Sequence, residues 1–327
     1  MIEEIRPRLY RLEIPIPKNP LKALNCYIVK GSDRHLVIDT GLNREECLTA
    51  MRQGLQELDI DLTVTDFFIT HMHADHSGML PALQTPTSAA YASSTDAQAI
   101  LTMADPALWH RMEEFAVRNG FPSAEARAAI NLHPGFQYGP SRKAVFTTVS
   151  EGFVLATDSY RFTVLETPGH TRGHLCLYEA DQRILISGDH ILRDITPNIS
   201  LWSDAHDPLG HYLASLDKIR SYNIDLVLPS HRRLFTDCNA RIAELEEHHR
   251  RRCAEALDIL QDKPLTSYEV AAKMTWDLRG TWPDFPPPQK WFAAGEATAH
   301  LRYLETSGAA RRISVDGQTL YAAVRPA

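Results

Sequence analysis

The sequence predicts an α+β fold, and three observations carry that expectation. Strand-length apolar runs alternate with helix-patterned stretches over most of the 327 residues. Several of these runs end directly in histidine or aspartate. In the strongest case Phe67-Phe68-Ile69-Thr70 is followed by His71-Met72-His73-Ala74-Asp75-His76-Ser77-Gly78. Beyond residue 262 the pattern changes to helices followed by a hairpin signal.

Taken in order, Leu9 to Ile14, Asn25 to Val29 and His35 to Asp39 read as strands, the last closed by Thr40-Gly41. Residues 43–58 carry Cys47, Met51, Leu55 and Leu58 at helical spacing and predict an amphipathic helix. The strand leading into the His-rich segment follows. Residues 93–140 are Ala-rich, with Trp109, Phe115, Phe121, Phe136 and Tyr138 interspersed and breaks at Asp105-Pro106, Asn119-Gly120 and His133-Pro134-Gly135. Two or three short helices fit there, either as an insertion near an active-site mouth or as a plain helical layer over the sheet. Strands resume at Phe162 to Glu166, Leu175 to Tyr178 and Arg183 to Ile186. A helix from Pro208 to about Tyr222 leads to a strand at Asp225 to Pro229 and a long charged helix over about 238–260. After Asp262-Lys263-Pro264 come a capped short helix at 265–271, a Pro- and Trp-rich loop at 276–288 and a helix over about 289–307. Asp316-Gly317 then marks a hairpin. Helices followed by a hairpin suggest a winged-helix module at 263–327, after a main domain at 1–262.

Composition bounds the function. The longest apolar runs are too short for a membrane span, and Met1 to Arg6 carries no signal-peptide pattern. Cys26, Cys47, Cys176, Cys238 and Cys253 are odd in number and widely spaced, which points to a reducing, cytoplasmic setting and away from a disulfide framework or a cysteine zinc site. The net charge of −7 disfavours a whole-molecule nucleic-acid binder.

Three imidazoles and a carboxylate within six residues are donors that divalent zinc, iron or manganese accept. A His-rich surface loop would explain that hexapeptide alone, but three further segments match it. Thr167-Pro168-Gly169-His170-Thr171-Arg172-Gly173-His174, Ser187-Gly188-Asp189-His190 and Pro229-Ser230-His231 each place His or Asp just past a strand end.

Together these motifs resemble the metallo-β-lactamase superfamily over roughly residues 8–235: H-x-H-x-D-H, a later His in T-P-G-H-T-x-G, an Asp in S-G-D, and a final His. The resemblance implies an αβ/βα four-layer sandwich, two sheets between helical layers. It implies two divalent metal ions, zinc first, with iron or manganese suited to the same donors. His71, His73 and His170 would hold one, and Asp75, His76 and His231 the other. Asp189 would bridge them. Asp75 and Asp189 are thus the expected catalytic carboxylates, with Asp75 orienting the nucleophile if one metal is bound. Two cations roughly 3.5–4 Å apart share a hydroxide, lower its pKa and stabilise an oxyanion. Asp39 matches the superfamily's early Asp and is expected to bond to backbone or to a ligand His. His174 and His190 are candidates for the same supporting role, and the other histidines for surface or packing positions. His73 departs from flavodiiron-type relatives, which carry a carboxylate there; a single-iron persulfide dioxygenase stays open. Ser230 stands where many relatives have Gly.

The resemblance to glyoxalase II-like (hydroxyacylglutathione hydrolase-like) and lactonase-like relatives with a C-terminal winged helix implies hydrolysis of a small ester-like substrate, a thioester or a lactone. The aromatic insertion suits an acyl group, and Arg232 and Arg233 are either receivers of a substrate anion or solvated residues. The alternative is a metal-dependent endoribonuclease or phosphodiesterase. Against it, residues 263–327 hold eight Lys or Arg and six acids, a net of only +2. A second copy of the chain is a further candidate partner, through the winged helix.

Overall fold

The computed structural model describes residues 1–140, 144–158 and 160–324. Their packing resolves into two compact units. One comprises Met1–Ala104, Pro134–Pro197 and Ser215–Arg241, the other Asp105–His133, Asn198–Ala214 and Ile242–Ala327.

The first unit holds two mixed sheets. The seven-stranded sheet runs in sequence order: β1 (Ile2–Arg6), β2 (Leu9–Pro15), β3 (Ala23–Val29), β4 (His35–Ile38), β5 (Thr65–Phe68), β6 (Ala90–Ala92) and β7 (Thr147–Thr148). Its first four strands are antiparallel, and β4 to β7 are parallel. The second sheet has the order β12-β11-β10-β9-β8, from β8 (Val154–Ala156), β9 (Arg161–Glu166), β10 (Leu175–Glu179), β11 (Ile184–Gly188) and β12 (Leu226–Pro229). Only its β11–β12 pair is parallel.

The two sheets share one core. Every second residue of the central strands points into it: Tyr27 and Val29, Leu36 and Ile38, Phe162 and Val164, Leu175 and Leu177, Ile184 and Ile186. That is the period of two a pleated strand imposes. Strands β10 and β11 are buried at every residue, so both of their faces are covered. The helix α1 (Glu45–Glu57) turns Cys47, Met51, Gly54 and Leu55 inward, and Gly54 lets it lie directly on Leu12 of β2. Mixed sheets flanked by helices agree with the expected sandwich.

Several details differ from expectation, among them short strands and one-turn helices that the sequence pattern did not mark. The strand before the His-rich segment is Thr65–Phe68, paired with His35–Ile38, so Ile69 and Thr70 already belong to the loop. Residues 93–140 form four helices rather than two or three: α4 (Ser94–Thr102), α5 (Pro106–Arg118), α6 (Ser123–Asn131) and α7 (Pro134–Tyr138). They follow the one-turn helices α2 (Ala74–Ser77) and α3 (Leu80–Leu83). Each predicted break starts a new helix, as at Asp105, whose carboxylate caps Ala107 N.

Helices α8 (Pro208–Arg220) and α9 (Cys238–Ile259) run through both units. In the second unit β13 (Leu265–Thr266), α10 (Ser267–Lys273) and α11 (Pro287–Thr306) precede the hairpin of β14 (Ala310–Val315) and β15 (Gln318–Ala323). Thr266 and Glu269 form a complete capping box at α10. Trp202 stacks on Trp291 of α11 with ring centroids 3.8 Å apart. Arg325 lies outside the described residues. Among those described, no helix is long and apolar enough to cross a membrane.

Candidate metal centre

The first unit brings all seven sequence-predicted donors together, each on a loop leaving the C-terminal end of a strand of one or the other sheet. His71 to His76 follow β5, His170 follows β9, Asp189 follows β11 and His231 follows β12. The one-turn helix α2 sets Asp75 and His76 side by side, with His73 at its N-cap.

Three ring nitrogens form a tight group. His73 Nδ1 lies 3.0 Å from His71 Nε2 and 2.9 Å from His170 Nε2. Beside it, Asp75 Oδ2 is 3.4 Å from His231 Nε2 and 3.8 Å from His76 Nε2. Asp189 stands between the groups: its Oδ2 is 3.6 Å from His170 Nε2 and 3.7 Å from His76 Nε2, and its Oδ1 3.5 Å from His231 Nε2. Among the described residues three sets of donor atoms converge closely enough for an ion: His71, His73 and His170; His71, His76 and Asp189; Asp75, His76 and His231.

The opposite ring nitrogens fix which atoms face inward. His76 Nδ1 donates to Asp39 Oδ2 at 2.7 Å, and His231 Nδ1 donates to Ala23 O at 2.9 Å. Each ring then presents Nε2 to the centre. Asp39 is itself in the left-handed region, φ 60°, a conformation Asp tolerates better than most residues. Its Oδ1 accepts from Thr70 N at 2.8 Å. It therefore bonds both to backbone and to a donor histidine, as the early Asp was expected to.

The chemistry of the set fits a cation. His76 Nε2, His231 Nε2 and Asp189 Oδ1 are buried and make no hydrogen bond among the described residues. Orphaned buried polar atoms are costly unless something satisfies them. Burial, aided by the neighbouring rings, pushes His71 far below the ordinary imidazole range and His73 down to about 3, so both are neutral lone-pair donors. The other group balances charge. Burial pushes His231 down, but Asp189 and Asp75 outweigh it and raise the ring well above its usual value. Burial likewise pushes Asp189 up, and His231 and His76 hold it well below the carboxylate range. A divalent cation would supply the positive charge that these protons otherwise provide.

His174 and His190 fall in none of the donor groups. His174 is buried, its Nδ1 on Thr167 Oγ1 at 2.8 Å and its Nε2 accepting Asp189 N–H at 3.1 Å. It holds the backbone from which Asp189 projects. A side chain at Gly188, φ 52°, would run into that ring. Arg232 donates to Pro20 O, and Arg233 pairs with Asp194 at 2.8 Å.

Sequence reasoning missed Asp96. This residue of α4 is 1% exposed, and it accepts hydrogen bonds from Met72 N, Thr171 Oγ1 and Gly173 N. Burial raises its carboxyl to about 6 against those three bonds. Its visible signal is a helix cap, Ser93 followed three residues later by Asp96, which says nothing about what the carboxylate meets.

Residues 21–231 match the family model of the metallo-beta-lactamase superfamily. The chain belongs to that superfamily. It is 24% identical over 311 residues to "Probable metallo-hydrolase YqjP" of Bacillus subtilis (strain 168), covering 90% of this chain and 91% of that protein. It is 25% identical over 251 residues to "Atrochrysone carboxyl ACP thioesterase" of Emericella nidulans, covering 76% of this chain and 64% of the other. Among solved structures, the metallo-beta-lactamase family protein TTHA1429 from Thermus thermophilus superposes with a TM-score of 0.82 at 26% identity, over 98% of this chain and all of that one. The protein is accordingly a metallo-beta-lactamase superfamily hydrolase.

Proposed function

We propose that this hydrolase carries two divalent cations, zinc first, and cleaves a small thioester. The observation that carries the reading is the arrangement of two donor groups around one carboxylate, with His76 Nε2, His231 Nε2 and Asp189 Oδ1 buried and without a hydrogen bond among the described residues. In it His71, His73 and His170 would hold one cation, Asp75, His76 and His231 would hold the other, and Asp189 would serve both. Bound cations lower the pKa of a coordinated water and polarise a carbonyl. The protein's own part is positioning. Asp39 and Ala23 O lock the tautomers of His76 and His231. Asp75 is the more open of the two central carboxylates, its side chain 17% exposed against 10% for Asp189, so it orients the incoming water. Hydrolysis breaks the C–S bond; the acyl carbon gains the hydroxyl and the sulfur leaves as thiol.

The thioester preference over a lactone is supported by the Emericella nidulans relative, which is named a thioesterase. In the same reading residues 263–327 form a winged-helix module that packs rather than reads nucleic acid. The test is metal analysis of the purified protein, with the same preparation assayed on glutathione thioesters, acyl lactones, phosphodiesters and single-stranded RNA. Two metals per chain with thioester turnover is the expected result. Turnover of RNA or phosphodiesters alone overturns the substrate class, and protein that neither holds nor responds to a transition metal overturns the whole reading.

A further inference from the structure

We infer that Asp96, outside the donor set, is a positioning residue that clamps the His71–His73 loop to the His170 loop and so sets the geometry of one of the two cation positions and not the other. The inference rests on the proposed reading of His71, His73 and His170 as one donor group.

The argument begins with where those donors come from. His71 and His73 leave β5 of the seven-stranded sheet, and His170 leaves β9 of the five-stranded sheet. Their nitrogens meet within 3.0 Å, and among the described residues no strand pairing joins the two loops. One backbone bond, Leu175 N to Thr70 O at 2.8 Å, ties their flanks, and Asp96 supplies the join beside the histidines themselves. One oxygen, Oδ2, accepts from Met72 N at 3.0 Å, the peptide between the two histidines, and also from the Thr171 hydroxyl, next to His170. The other, Oδ1, accepts from Gly173 N at 2.9 Å. Both oxygens are used, and none of the three partners is itself a donor to the site.

The surroundings are shaped for this contact. Ser93 Oγ caps Asp96 N at 3.1 Å, which fixes the start of α4 and the direction of the carboxylate. Gly173 is the residue whose missing side chain allows the approach: a Cβ there would overlap Ser93 Oγ and crowd Asp96 Oδ1 at 2.7 Å. By contrast His76 and His231 are oriented by Asp39 and Ala23 O, so the second donor group has separate supports. Buried carboxylates that hold donor loops in place change metal affinity roughly 10–100-fold when altered, without touching the ion.

The experiment is a stepwise cobalt(II) titration of wild type, Asp96→Asn and Thr171→Val, each followed by its visible spectrum, with zinc competition for the affinities. Asp96→Asn keeps the size but puts an amide NH2 against N–H donors. The expected result is a roughly 10–100-fold loss at one equivalent with a changed cobalt spectrum, and a second equivalent that binds as in wild type. Thr171→Val, which removes one bond of three, should weaken the same equivalent by less and keeps the test alive if Asp96→Asn does not fold. Unchanged binding at both equivalents, or equal loss at both, overturns the role of Asp96 while leaving the two-cation reading in place. Wild-type protein that takes up no cobalt overturns the donor assignment and this inference with it.

Discussion

Two aspartates in this molecule are each ringed by three basic side chains, and they do different things. Asp189 in the first unit faces His76, His170 and His231 at 3.5–3.7 Å. Asp204 in the second faces Arg118, Arg302 and Arg312 at 2.5–2.9 Å. The Asp204 distances are those of finished hydrogen bonds, opposite charges meet directly, and the carboxylate is 47% exposed. The Asp189 distances are too long for hydrogen bonds, the side chain is 10% exposed, and one oxygen is orphaned. A ring of cations around a carboxylate is therefore no sign of chemistry by itself. The sign is a ring that stops short, with lone pairs aimed at a common point.

The largest expected effect breaks the ring around Asp189. Asp189→Ala or His71→Ala should cost far more than the roughly 100-fold that loss of a supporting residue brings, with secondary structure unchanged by circular dichroism. Metal content measured on the same samples should fall. Activity retained within tenfold in Asp189→Ala would end the proposed arrangement. The cation should also stabilise the fold, because it binds the native state and not the unfolded chain. At a thousandfold excess over Kd that amounts to about 4 kcal/mol. Chelation should lower the melting temperature accordingly, and restored zinc should recover it.

The residues around Asp189 were legible as candidates because each follows an apolar strand in a short motif that resembles the superfamily's, and the structure brings all seven together. The sheet order was less legible. Short strands such as Thr147–Thr148 and Ala90–Ala92 carry too few residues to show a period. The supports were legible only where a family motif marked them. Asp39 and His174 sit in such motifs, but Asp96 meets its partners 24 and 75–77 positions away in sequence. No local pattern encodes a contact between loops from two different sheets.

A third cluster sharpens the comparison. In the second unit His249 Nδ1 and His300 Nε2 are 3.1 Å apart, and both rings are buried, yet they belong to no convergent donor group among the described residues. Burial pushes His249 far below its usual range, with His300, His248 and Arg252 adding to the shift. Burial takes His300 down to about 4 against its bond to Glu296 O. Both rings are neutral in the folded state, and their folded pKa values lie below the unfolded value near 6.5. The unfolded chain then binds more protons between pH 6.5 and pH 4, so this contribution is present above 6.5 and is lost as pH falls toward 4. His300→Gln should flatten the acid limb of the melting-temperature profile over that window and leave metal stoichiometry untouched. A variant that lost metal would make the pair part of the centre, contrary to its geometry.

The smallest effect belongs to Asp204. Exposed ion pairs are worth about 0–1 kcal/mol each, because water already solvates both partners. Here one carboxylate serves three arginines, and Arg302 and Arg312 also pair with Glu305 at 3.5 and 3.2 Å, so part of the network survives its removal. Asp204→Ala should therefore destabilise by about 1 kcal/mol, with the loss shrinking as salt screens the pairs. Turnover and metal content should stay at wild-type levels. The same substitution at position 189 removes the buried carboxylate that stands between the two donor groups. Equal consequences at 189 and 204 would mean that burial and unmet lone pairs do not separate a working carboxylate from a fastening one.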